Sequence, residues 1–483
     1  TRVATALPRL RDRQPERTHT GGEYLVYHTM SRRQVESGGS SMMIAVPASI
    51  SVPFTVVVLL ITLSRRFRTR TLATAALYAA CATLGFQRLR VIDILSLSDY
   101  FFLLATLLLI PTLITEGASR PRAHRILLGG IGLMTAGGLI GTLAASSVEA
   151  SLSQLSHFAL LTAWFVALIA VWSPSLREVR AVLWCWIGSV TLTSLYAIFS
   201  GGGDRDLNGR AYALTTHPNE LAMICVLAAG PALAFVIAGR GWRRALALCC
   251  AAIIPVGILF SGSRAGFFGY LAVLLVTVVV PWQRSTRAAA WAALSLAAAI
   301  LLGSLVSSPT PNALQRVFAV HDPTVQHSLS YSDNERRELL AQTLGRIEQH
   351  PFTGDGFEYF LSTHDIYLQT WSSAGVIGLL GLVLIIFQTL RPGWLGLRGQ
   401  DDDFLHGPAA YLALGLSAGY AGYLVAALFQ NAVADRYIWL APSLVACLAP
   451  QFSLLSLLEG RIGGALGSPL RAALALLSLP RQS

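Results

Sequence analysis

The chain has 483 residues, 54% of them hydrophobic and 13% charged, with a mean hydropathy of +0.57. A polypeptide this apolar is solvated by hydrocarbon over most of its length, which excludes a soluble globular protein. The net charge of +11 is carried by arginine, since the sequence has no lysine; the arginines fall mainly in short connections between apolar runs, so they read as membrane orientation signals, and no nucleic-acid partner is expected.

Residues 1–41 are polar and arginine-rich without periodicity and read as a disordered segment. A bilayer core of about 30 Å needs roughly 20 apolar residues per helix. Runs that meet or approach this lie near 44–63, 71–87, 94–114, 125–145, 155–173, 179–200, 219–238, 243–261, 265–281, 287–306, 366–390, 408–430 and 436–457. The expected fold is therefore an all-α polytopic membrane protein of about 12 (12–13) transmembrane helices, the short 71–87 run being tilted or re-entrant. Transmembrane segments fill 42–306 and 366–457, the long connection 307–365 forms an external helical loop, and 458–483 is a cytoplasmic tail. Cys81, Cys185, Cys225, Cys249, Cys250 and Cys447 all sit in apolar runs and read as small core residues, not as a disulfide framework or metal site.

Arginine-rich connections at 64–70, 120–125, 240–244, 284–287 and 391–398 agree in parity and are expected on the cytoplasmic side. The loops at 201–218, 262–264, 307–365 and 431–435 then share the external face. The same parity puts the N-terminus outside if 44–63 spans, in conflict with the basic character of 1–41. The absence of lysine and the heavy alanine and glycine usage point to a GC-rich bacterial genome.

Polar residues that are not orientation charges concentrate in four external elements: Asn208-Gly-Arg210 through His217-Pro-Asn219-Glu220; Ser261-Gly-Ser-Arg264; Asp333-Asn-Glu-Arg336-Arg337; and Gly354-Asp355-Gly356 through His364-Asp365. Arginine suits a diphosphate because its planar fork donates several hydrogen bonds and stays charged. A histidine, titrating near 6.5, suits proton abstraction from a hydroxyl. Each residue also has a plainer reading. Arg264 is equally a snorkelling anchor, Arg336 and Arg337 are members of solvated pairs on a helix predicted over Glu335–Gln349, and His364 is a cap for the helix starting near Asp365. His217 with Pro218 is a helix start, and Asp355 is a turn residue. Glu220 and Asp435 sit at external helix ends, where a carboxylate could polarise His364 or contact sugar hydroxyls, and the sequence does not decide between these. His321, Asp322 and His327 lack the spacing of a metal site, and neither a metal nor another cofactor is expected.

Together these elements resemble the O-antigen ligase and O-antigen polymerase superfamily of integral membrane glycosyltransferases. The most specific part is Pro351-Phe-Thr-Gly354-Asp-Gly356, then His364-Asp-Ile-Tyr-Leu368-Gln, then Ala374-Gly-Val-Ile-Gly-Leu-Leu380, which is similar to the family's Pro-x-x-Gly-x-Gly, His-Asn-x-x-Leu and Gly-x-x-Gly-Leu run. Ser263-Arg264-Ala265-Gly266 resembles its Ser-Arg-Gly turn, with Ala265 inserted, and Asp365 stands where asparagine is usual and changes the charge beside His364. The resemblance implies inverting, metal-independent transfer of a glycan from an undecaprenyl-diphosphate donor to the hydroxyl of a glycan or glycolipid acceptor at the external, periplasmic-side membrane face. His364 would be the base, Arg264 and Arg336 would hold the diphosphate, and Arg210 and Arg337 would be secondary. His217, Asn219, Glu220, Asp355, Asp365 and Asp435 are further candidates. A transporter or flippase of lipid-linked sugars is the alternative, since it too needs arginines near phosphate.

Overall fold

The computed structural model describes residues 69–92, 95–116, 122–200, 210–279, 286–305, 313–318, 323–358, 364–398, 408–430 and 436–448, all within the compact unit Ile61–Ser483. The 44–63 run, the segments 1–41 and 458–483, and Asp435, His321 and Asp322 lie outside them, as does the side chain of His327.

Among the described residues the regular elements are helices apart from one short ladder. Its helices are α1 (Thr69–Thr83), α2 (Leu97–Glu116), α3 (Arg122–Thr142), α4 (Val148–Trp172), α5 (Leu176–Phe199), α6 (Pro218–Ala238) and α7 (Gly241–Phe260). They continue as α8 (Arg264–Val279), α9 (Thr286–Leu305), α10 (Ala313–Phe318), α11 (Pro323–Gln349), α12 (Ile366–Arg398), α13 (Pro408–Ala426) and α14 (Arg436–Leu448). Among the described residues, seven helices, in α3, α4, α5, α6, α7, α12 and α13, are long and apolar enough to cross a membrane. Between α1 and α2, β1 (Arg90–Ile92) and β2 (Leu95–Ser96) pair antiparallel, a ladder the apolar pattern did not announce.

Helix starts follow local chemistry. Ser175 opens α5 with a capping box, its hydroxyl accepting from Glu178 N while the Glu178 carboxylate accepts from Ser175 N. His217 opens α6 with Pro218 in the first turn, and its Nδ1 accepts from Asn219 N at 3.1 Å.

Where apolar helices meet, small residues let their backbones approach, as expected where hydrocarbon solvent gives no hydrophobic drive. On α3 a Cβ at Gly130 would lie 2.8 Å from the Gly381 carbonyl oxygen of α12, and α6 meets α13 through Gly230 and Gly415 in the same way. Two expectations are corrected. The 391–398 stretch is not a connection, because α12 continues through it, and Arg391 is buried. Cys249 is exposed on α7, not a core residue.

The most consequential irregularity is inside α12. Gly375 has φ 60° and ψ −163°, so the helix breaks there. Residues 350–358, following α11, fill the break. Asp355 N donates to Ser372 O at 2.8 Å, Gly356 N to Ser373 O at 3.1 Å, and Val376 N to Phe352 O at 3.2 Å. The strap is also tied to the α3–α4 corner, where Phe357 N donates to Ser151 Oγ at 2.8 Å and Glu358 accepts from Ser147 N at 2.9 Å. Its glycines are required by conformation, since Gly354 and Gly356 have φ of 72° and 87°.

Candidate active site

One end of the bundle collects the start of α6, the end of α7, the start of α8, the start of α12 and the end of α13. Main-chain bonds hold them in register. Ala211 N donates to Phe260 O at 3.2 Å, Arg88 N to Leu214 O at 2.8 Å and Ile366 N to Ala427 O at 3.1 Å. Asp99 and Arg436 pair at 2.8 Å, joining the starts of α2 and α14 at the same end.

At the start of α12 the cap is Asp365 and not His364. Asp365 Oδ1 accepts from Tyr367 N at 2.8 Å and Leu368 N at 3.0 Å, which satisfies two otherwise orphaned donors. The capping alternative for His364 is thereby corrected. His364 is half-buried, and burial, followed by the nearby Arg336 guanidinium, pushes its pKa below the usual 6.5 against an opposing pull from Glu335. At neutral pH the imidazole is therefore mainly in its proton-accepting form. The Asp365 carboxyl is raised by burial, with its two cap bonds opposing.

Arg336 is half-buried on α11, and its guanidinium is lowered by burial and then by Arg264 beside it, with Asp333 and Glu335 opposing. Arg264, Arg336 and His364, from three separate stretches of sequence, thus share one electrostatic neighbourhood. Arg264 is the first residue of α8 and forms an ion pair with Asp333. A cation at a helix N-terminus opposes the helix dipole, so α8 gains nothing from Arg264 there. The helix is capped instead by Ser263, whose Oγ accepts from Gly266 N at 3.2 Å. Arg337 is exposed; consecutive helical residues point about 100° apart, so it leaves the cluster that Arg336 joins.

Arg210 reaches the same turn from the other side. Its Nε donates to Ser261 O at 2.9 Å and its Nη2 to Asn219 Oδ1. Gly262, with φ 63°, makes room for it; a Cβ there would lie 3.3 Å from Arg210 Cγ and 3.5 Å from Arg316 Cδ. Asn219 therefore holds Arg210. Glu220 accepts from Thr216 N at 2.8 Å and Thr216 Oγ1 at 2.6 Å, a local helix-start bond like that of His217. Asp355 belongs to the strap and sits 3.6 Å from Arg346 Nε; burial raises its carboxyl, with Arg346 opposing. Among the described residues, no group of three or more His, Cys, Asp or Glu side chains is placed to hold a metal ion.

Sequence reasoning passed over three residues. Arg316 is a lone arginine in the short apolar α10 and is buried against the Gly262 turn. Glu335 acts on His364, which only the phase of α11 reveals. Gln369 is fully buried in α12, and its place in the motif gave no signal of this.

The sequence was also compared with known proteins. No curated protein and no solved structure matches the chain. Residues 245–383 match the family model described as O-Antigen ligase, a stretch that contains Arg264, Arg336, the strap and His364, so this segment of the chain is similar to the O-antigen ligase family.

Proposed function

We propose that this protein transfers a glycan from a polyprenyl diphosphate carrier to an acceptor hydroxyl, with inversion at the anomeric carbon, at the external face of a bacterial cell membrane. The observation that carries the reading is a half-buried histidine, shifted toward its neutral form, beside Arg336, which is in turn beside Arg264, all within the family-matched segment. On this reading the chain has about 12 spans and 307–365 is an external loop over the site, an arrangement that would put these groups where a lipid-borne diphosphate meets water.

The acceptor oxygen attacks C1 of the donor glycan from the face opposite the diphosphate. His364 takes the hydroxyl proton as the new C–O bond forms. The bond from C1 to the diphosphate oxygen breaks, and its electron pair stays on the leaving group. Arg264 and Arg336 face the charge that develops there, and fixed cations lower the barrier most where water is excluded. In the resting protein Arg264 is held by Asp333; the diphosphate exchanges with that carboxylate for the guanidinium. Arg210, fixed by Ser261 and Asn219, stands behind the same turn as a further cation.

The test is turnover by purified protein in lipid nanodiscs, supplied with a polyprenyl-diphosphate glycan and an acceptor glycan or glycolipid, with chelator present. A new glycoside is expected, with loss of about 10²–10⁴-fold in His364→Ala and about 10²–10³-fold in Arg264→Ala. Retained turnover in both variants overturns the assignment.

A further inference from the structure

We infer that Gln369 is the positioning residue for His364, its side-chain carbonyl accepting the Nδ1 hydrogen of the imidazole and leaving Nε2 open toward the acceptor hydroxyl. The inference rests on His364 being the base and adds the group that fixes its tautomer. Gln369 is fully buried, and neither its Oε1 nor its Nε2 has a hydrogen-bond partner among the described residues. A buried carboxamide with both ends unpaired is costly and calls for an explanation.

The helix start supplies the geometry. Asp365 is the N-cap of α12, confirmed by its bonds to Tyr367 N and Leu368 N. The main-chain bond from Gln369 N to Asp365 O, at 2.9 Å, fixes Gln369 as the fourth helical residue. His364 then occupies the position before the cap, and these two positions meet across the first turn of a capped helix. That turn is held from outside, because Ile366 N donates to Ala427 O and Tyr367 Oη donates to Leu424 O, both at 3.1 Å. In the inferred pairing the His364 ring turns toward the helix, so that Nδ1–H donates to the unpartnered amide oxygen.

Other groups around His364 suit this task less well. Asp365 spends its Oδ1 on the cap. Arg336, on α11, has no acceptor, and Glu335, on the same helix, is charged and would favour the protonated ring. A neutral carbonyl orients the imidazole and selects its tautomer without trapping a proton on it.

The test uses full-length protein in lipid nanodiscs with Gln369→Glu and Gln369→Leu. Acylation of His364 by diethylpyrocarbonate, followed across pH by peptide mass spectrometry, reports its titration without requiring turnover. Gln369→Glu, which sets a carboxylate beside the ring, is expected to move the reactivity midpoint up by about one pH unit or more. Gln369→Leu, similar in size, is expected to lower kcat by about 10-fold or more with donor KM unchanged, the pattern of a misoriented base. An unmoved midpoint in Gln369→Glu overturns the pairing, as does wild-type kcat in Gln369→Leu. Undiminished turnover in His364→Ala would instead overturn the assignment of the base, and a shifted midpoint in Gln369→Glu would then still report the contact.

Discussion

Gly375→Ala is the sharpest single perturbation the fold offers, because the strap that links α11 to α12 is bonded into the break at that residue. An alanine Cβ there would lie 2.5 Å from the Phe352 carbonyl carbon and 2.7 Å from that of Thr353, about an ångström inside ordinary contact. The strap must move away. Holding φ 60° and ψ −163°, a region essentially restricted to glycine, costs about 1–3 kcal/mol for a residue with a Cβ, and the three main-chain bonds from 355, 356 and 376 are each worth about 1 kcal/mol. The total is about 4–6 kcal/mol, concentrated on one segment. The expected result is loss of amide-exchange protection at 352–358 and 372–376, together with a fall in turnover of about 10-fold or more, since the strap sets how Arg336 faces His364. Gly132→Ala is the control, because nothing lies within 4 Å of a Cβ at that helical position, and a gain of up to about 1 kcal/mol is expected from helix propensity. If the two variants behave alike in exchange and in turnover, the strap is not what positions the site.

Three further outcomes follow from the same geometry. In its proposed role His364 is a neutral base with its pKa held below 6.5 by burial and then by Arg336, so turnover should rise with pH along a limb whose midpoint lies below that value; Arg336→Gln should move this limb upward on whatever rate remains, and a limb that stays put contradicts the coupling. Asp333→Asn releases Arg264 from a half-exposed ion pair; at about 0.5–1 kcal/mol for such a pair, donor KM should fall about 2- to 5-fold, and a rise would mean that Asp333 orients Arg264 instead of competing for it. His217→Asn keeps a good N-cap on α6, so thermal midpoint and turnover should match wild type, and a large loss of turnover at unchanged stability would return His217 to the chemistry.

The helices were legible because hydrocarbon solvation leaves an unmistakable apolar run. The run at 155–173 belongs to α4, Val148–Trp172, and that at 219–238 to α6, Pro218–Ala238. What escaped the pattern was decided by backbone geometry. Apolar composition does not register that Gly375 takes φ 60°, nor that α12 runs on through Arg391 and Pro392. In the site, residue types pointed to Arg264, Arg336 and His364, but type alone does not separate Arg336 from Arg337. The phase of α11 does, leaving one half-buried and the other exposed. Nor could composition choose between His364 and Asp365 as the cap, because both side chains can accept from the first turn. Only the bonds from Tyr367 and Leu368 decide it.

The break in α12 bears on the rival transport reading. Coupled transporters use discontinuous helices whose freed backbone groups face substrate or ion near the bilayer midplane, with ionisable side chains close by. Here the carbonyls freed at Ser372 and Ser373 are taken by Asp355 N and Gly356 N of the same chain, so the break is filled by protein. A cavity of about 30 Å³ between α6, α8 and α13 is lined by residues such as Gly230, Ala234, Val276 and Leu414, with no charged side chain among them. Arg264 and His364 lie instead at the starts of α8 and α12, with Arg336 of α11 in the same electrostatic neighbourhood, and main-chain bonds tie the start of α12 to the end of α13 and Ala211, beside Arg210, to the end of α7. A rigid, charged, one-ended site suits a reaction at a membrane surface better than passage through the membrane, and the broken helix serves it by anchoring the strap between Arg336 and His364.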